Sequence, residues 1–140
     1  MTAREFLSRY SVIDRQIQSN LRQMKQLRLL STDVSSAGFE QSYNPNKSTQ
    51  APFVKSIEAI EDMQSRIDEK VLELISVRED IIEAINAIGD IDIQEVLEYR
   101  YISQMTWDEI AKNLNVSERT ARRRQEIGLD MIVVPEKYKN

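Results

Sequence analysis

"TWDEIAKNLNVSERTARRRQ", residues 106–125, carries two helix starts with one helix stop between them. Thr106 followed by Glu109 is a capping box, in which a hydroxyl accepts from the N3 amide and the Glu side chain reaches back, so a helix starts at Trp107. Ile110, Ala111 and Leu114 form its inward stripe, and Ala111 is small enough for a second helix to cross close by. Asn115 tolerates the left-handed conformation better than most residues, so the helix breaks there. Val116 fills the corner beneath the turn. Ser117 is the next N-cap and opens a helix to about Ile132, with Ala121, Leu129 and Ile132 facing inward and Pro135 beyond its end. Two capped helices joined by a tight turn predict a helix-turn-helix.

The rest of the chain narrows what that element could serve. Its 140 residues make one domain, or a small one with an extension. Without cysteine or histidine, disulfides, thiolate chemistry, His-based zinc sites and imidazole catalysis near neutral pH are excluded. No Gly-rich phosphate loop is present, and the carboxylates of Glu61-Asp62 and Asp68-Glu69 fall on outer helix faces as solvated charge. The expectation is therefore no enzyme, no metal and no cofactor. Apolar runs fall far short of the roughly 20 residues that span a bilayer, and Met1 leads into a polar helix instead of a signal peptide, which predicts a cytoplasmic protein without a membrane partner.

Charge is unevenly distributed. Residues 1–30 hold six Lys/Arg and two Asp/Glu, whereas residues 53–91 hold four and ten. In the first stretch Phe6, Tyr10, Ile13, Ile17, Met24 and Leu27 alternate in steps of three and four, broken only at Asn20, and Thr2 with Glu5 forms a capping box; this predicts an amphipathic helix over about 2–30. In the second, Ile57, Ile60, Ile67, Val71, Leu74, Ile81, Ile85 and Ile88 keep a heptad frame interrupted at Gln64 and Arg78, predicting a helix over 53–88. Residues 31–52, rich in Ser, Asn, Thr and Gln with Gly38, Pro45 and Pro52, read as a flexible loop. Opposite charge favours packing the two helices as a long antiparallel hairpin over 1–91, the alternative being a parallel homodimeric coiled coil whose acidic flanks would repel. Gly89 and Asp90 end the second helix and Asp92 is placed to cap a third, from Ile93 to about Ser103. The expected fold is all-α, with residues 92–140 as the helix-turn-helix domain.

In a helix-turn-helix the second helix presents its N-terminal residues to the major groove of DNA. With Ala121 and Leu129 inward, Glu118, Arg119, Arg122, Arg123 and Glu126 lie on or near the outer face. A guanidinium fork bonds guanine O6 and N7 together, or clamps a phosphate. Arg119 and Arg123 are assigned to bases, Arg122 to a phosphate or neighbouring base, and Arg124 to the flank, where Asp108 or Glu109 could pair with it. Ser117 and Thr120 are candidate phosphate contacts through hydroxyls or helix-start amides. The competing reading of the arginine run is a solvated helix face. Trp107, open to reading as a stacking residue, is expected to pack against Tyr99 or Tyr101.

The stretch "YRYISQMTWDEIAKNLNVSERTARRRQEIGLDMI" resembles the fourth region of bacterial sigma factors, which carries a similar "T-x-x-E-I-A-x-x-L-x-V-S-x-x-T" turn and a basic helix that reads the −35 promoter element. The likeness covers about residues 93–132. Asn115 stands where the turn more usually has Gly, and Ala121 where Val is commoner; no counterpart of sigma region two is present, so the chain does not resemble a complete sigma factor. It is more fully similar to phage and prophage late transcriptional regulators of the ArpU and RinA types, which carry such a helix-turn-helix behind a helical N-terminal part. That resemblance implies a sequence-specific regulator activating late packaging and lysis genes in the cytoplasm of a bacterial host cell. Its DNA-reading role falls on Ser117, Glu118, Arg119, Thr120, Arg122 and Arg123. Expected partners are double-stranded DNA, RNA polymerase and a second copy of the chain. Two other functions stay open: a DNA-packaging component like a small terminase subunit, and a module that binds RNA polymerase through its helical hairpin.

Overall fold

The Thr2 hydroxyl accepts from the Glu5 amide at 3.1 Å and so starts the first helix, α1, Ala3–Glu40. The computed structural model describes residues 1–40 and 50–139, without the side chains of 33–40 and 50–53. Four further α-helices follow: α2, Gln50–Asn86; α3, Ile91–Tyr101; α4, Trp107–Leu114; and α5, Glu118–Met131, with a 3-10 turn at Glu136–Tyr138. The fold is all-α, and no strand occurs among the described residues. No helix among them is long and apolar enough to cross a membrane.

Four expected boundaries move. The break expected over 31–52 narrows from both sides, because α1 continues to Glu40 and α2 begins at Gln50. Ser, Thr and Ala do not stop a helix, an interior Gly38 costs only about 1 kcal/mol, and Pro52 lies in the first turn of α2, where a missing N–H breaks no helical bond. Residues 41–49, including Pro45, lie outside the described residues. At the other end α2 stops at Asn86. The cap of α3 is Asp90, not Asp92: its carboxylate accepts from the amides of Asp92 at 3.0 Å and Ile93 at 3.4 Å, so the helix starts two residues early.

The buried seam of α2 also differs from the expected frame. Met63, Ile67, Val77, Ile81 and Ile85 are buried, with Ile88 just beyond the helix end, while Ile57 and Val71 are exposed. Keeping residues 57, 64, 71 and 78 inward would have buried Gln64 and Arg78, at a cost that polar groups without partners impose. Turning the helix brings in Met63 and Val77 instead. The α1 stripe is as expected at Phe6, Ile13, Ile17 and Met24, with Leu7 added.

Contacts divide the chain into two units, at places other than the expected boundary between 91 and 92. Unit 2, Arg15–Leu72, has a small apolar centre of Met24, Met63 and Ile67, with Leu27 and Ile60 packed beside it. Leu21, Leu29, Leu30, Val54, Ile57, Val71 and Leu72 of the same unit are exposed. Unit 1 joins Met1–Asp14 to Glu73–Asn140. Within it Arg9 pairs with Glu73 at 3.1 Å, the cation coming from the basic helix and the carboxylate from the acidic one. Val96, Ile110 and Ala121 form the centre shared by α3, α4 and α5, with Tyr99, Met105, Trp107, Leu114 and Val116 packed on it. Farther along α5, Gly128 allows a closer approach to α3: a Cβ there would lie 2.7 Å from Ile93 Cγ2 and 2.8 Å from Leu97 Cδ1.

The last residues of unit 1 are latched to α2. The Tyr138 hydroxyl donates to Asp80 Oδ2 at 2.7 Å, Lys137 Nζ lies 2.6 Å from the same oxygen, and the Tyr138 ring sits 4.9 Å from that of Phe6. Burial and the Asp80 hydrogen bond push the Tyr138 hydroxyl up to about 12 from 10.0. Burial raises the Asp80 carboxyl, but hydrogen bonds from Lys137 and Tyr138 outweigh it and leave the group below 3.8. The Tyr138 contribution is therefore complete below pH 10.0 and lost as pH climbs towards about 12, whereas that of Asp80 is present above 3.8 and lost as pH falls below it. Asp80→Asn should speed amide hydrogen exchange in residues 133–139 at neutral pH while leaving α4 and α5 as protected as before. Unchanged exchange in those residues would contradict the latch.

Candidate functional site

Thr106 and Ser117 set the two helix starts around which the site is built. Thr106 Oγ1 accepts from the Glu109 amide at 3.2 Å and donates to the Glu109 carboxylate at 3.1 Å, holding α4 at Trp107. At the far end Asn115 has φ 54° and ψ 47°, the left-handed conformation expected of it. The Val116 amide donates to Ala111 O at 3.0 Å and the Asn115 amide to Lys112 O at 3.3 Å, the pair of bonds that closes a Schellman turn. Ser117 Oγ then accepts from the Thr120 amide at 3.1 Å and starts α5. Ala121 has no exposed surface, because it faces Val96 and Ile110.

The buried side of α5 carries Ala121, Gln125 and Gly128, and this fixes what faces outward. Ser117, Glu118, Arg119, Arg122 and Arg123 are exposed; Thr120 and Arg124 are half-buried. Arg119 and Arg123, one turn apart, share a face. Ser117 Oγ donates to Thr120 Oγ1 at 2.9 Å, and a hydroxyl that accepts can also donate. Helix geometry leaves the amides of Glu118 and Arg119 without an intrahelical acceptor. The N-terminal half of α5 therefore offers hydroxyl, amide and guanidinium donors on one exposed surface.

Arg124 does not pair with Asp108 or Glu109. Lys112, one turn along the same helix, takes Asp108 at 3.0 Å, and Glu109 is engaged by Thr106. Trp107 packs on the cluster of Val96, Ile110 and Ala121, as Tyr99 does. It also holds two cations: Arg100 Cζ lies 4.9 Å and Arg122 Cζ 5.0 Å from the ring centroid. Such contacts contribute about 0.5–1 kcal/mol each at exposed positions.

Four residues escape the sequence reading of the site. Arg4 pairs with Glu126 at 2.8 Å and compensates the acidic group on the outer face of α5, although both side chains are more than half exposed and the pair contributes little to stability. Gln125 is buried, and its Oε1 accepts from the Tyr101 hydroxyl at 3.1 Å, a phenol whose pKa is raised by burial. Gly128 sets the approach of α5 to α3, and its place inside a helical stretch was the one local sign of it. Arg100, at the end of α3, reaches Trp107 while its Nη1 donates to Met105 O at 2.9 Å.

A family model matches residues 52–130, more than half of the chain. The chain belongs to the family described as Protein of unknown function (DUF1492). The DUF1492 segment takes in Ser117, Glu118, Arg119, Thr120, Arg122, Arg123 and Arg124, and runs from the start of α2 almost to the end of α5. No curated protein and no solved structure matches the chain.

The left-handed turn of this DUF1492 protein can be probed directly. Asn115→Val places a β-branched residue at positive φ and should destabilise unit 1 by about 1–2 kcal/mol, read as a lower urea midpoint, whereas Asn115→Gly should hold the midpoint or raise it. Equal midpoints for the two variants would contradict the strain argument.

Proposed function

We propose that the protein is a sequence-specific DNA-binding transcriptional regulator, an activator of phage late packaging and lysis genes, that reads duplex DNA through α5. The observation that carries the reading is the placement of Arg119, Arg122 and Arg123 on the exposed face at the start of a capped helix whose opposite face is closed against α3 and α4. A helix-turn-helix reads DNA with that part of its second helix. Arg119 and Arg123 contact bases, Arg122 and Arg124 the backbone and flank, and Ser117, Thr120 and the amides of Glu118 and Arg119 the phosphates. Glu118 lies among them as an acceptor for a cytosine amino group.

Net charge supports a local reading surface over general attraction. A chain at −4 repels DNA as a whole, so binding must come from a patch where cations dominate. The proposed regulator performs no catalysis. It acts as a homodimer, a reading favoured by the exposed apolar side chains of unit 2, and two copies supply the contact area that one small module lacks. RNA polymerase is the further partner of an activator.

Selection from random duplexes with the full chain should enrich a defined motif, and the double variant Arg119→Ala/Arg123→Ala should lose it while staying helical. Each base-reading arginine should account for about 1–3 kcal/mol of discrimination. No enrichment at low salt, where phosphate contacts are strongest, would overturn the reading.

A further inference from the structure

Two guanidiniums from different helices share one indole. Arg100 comes from the last turn of α3, Trp107 opens α4 and Arg122 lies in the second turn of α5. Both Cζ atoms lie within about 5 Å of the same ring centroid, and neither arginine joins an ion pair among the described residues. The ring attracts both guanidiniums, and with no carboxylate neutralising them they present two positive charges to an incoming anion. The ring is itself held, being packed on the buried cluster of Val96, Ile110 and Ala121. Arg100 is fixed a second time by its bond to Met105 O, which uses one of five N–H donors and leaves the others for an acceptor.

We infer that Arg100 and Arg122, held by Trp107, form a site for the sugar-phosphate backbone of duplex DNA, set apart from the base-reading Arg119 and Arg123. The inference rests on the DNA-binding reading and extends the interface from α5 to the end of α3. Guanidiniums laid against an aromatic ring keep their N–H edges in one orientation, so little rotamer freedom is lost when a phosphate arrives. Trp107 is a positioning residue in this arrangement, and Arg100 is the contact that the α5 sequence alone does not contain.

The test uses the full chain and random-sequence duplex DNA, with affinity measured over a series of salt concentrations. Arg100→Gln should weaken binding to all sequences alike, lower the slope of log affinity against log salt by about 1, and leave the selected motif unchanged. Trp107→Phe should stay near the wild-type slope and Trp107→Leu should move away from it, because a ring and not merely bulk is required. A wild-type slope in Arg100→Gln would overturn the inference and leave the base-reading account standing. Failure of the wild-type chain to bind any duplex at low salt would remove both.

Discussion

The distance between α5 and α3 governs the rest of unit 1. Ala121, with no exposed surface, and Gly128, where even a Cβ would lie 2.7 Å from Ile93, are the two small residues that let α5 lie close. Larger side chains at either position would force α5 outward or rotate it. Because both lie on one face, they also decide which residues lie on the other, and those are Arg119, Arg122 and Arg123. The exposed arginine face is thus a consequence of packing as much as of composition. Gln125, between the two small residues, satisfies its buried oxygen with the Tyr101 hydroxyl and so ties α5 to α3 by a directional bond as well.

Electrostatics around that face follow from where individual charges are held. The chain is acidic overall, with the excess concentrated in residues 53–91, yet the start of α5 presents cations. Arg4, from the first turn of α1, compensates Glu126. Trp107 gathers Arg100 and Arg122. Asp108, which could have drawn off an arginine, is already engaged by Lys112. The patch depends on residues from α1, α3, α4 and α5 together.

What could be read from the sequence was what local chemistry determines. The starts at Trp107 and Ser117 and the left-handed residue at Asn115 depend on atoms within four positions, so caps and turn residues declare them. The register of α2 did not declare itself, because frames through Ile57 or through Met63 share Ile60, Ile67 and Ile81. Gln64 and Arg78 were the warning that the first frame would bury polar groups. The extent of α1 was hidden because its Ser- and Thr-rich end contains no residue that must stop a helix. Contacts between Arg4 and Glu126, or Asp80 and Tyr138, join positions far apart in the chain and leave no local pattern. The gathering of Arg100 by Trp107 belongs with these, since only the crossing of three helices brings it about.

Under the proposed function, the exposed face at the start of α5 meets DNA. Amide hydrogen exchange of the full chain, with and without random-sequence duplex DNA at low salt, tests it most directly. Exchange should slow at Glu118 through Arg123 on adding DNA, most at the two amides that the helix leaves without acceptors. Slowed exchange confined to α1 and α2, with α5 unchanged, would contradict it.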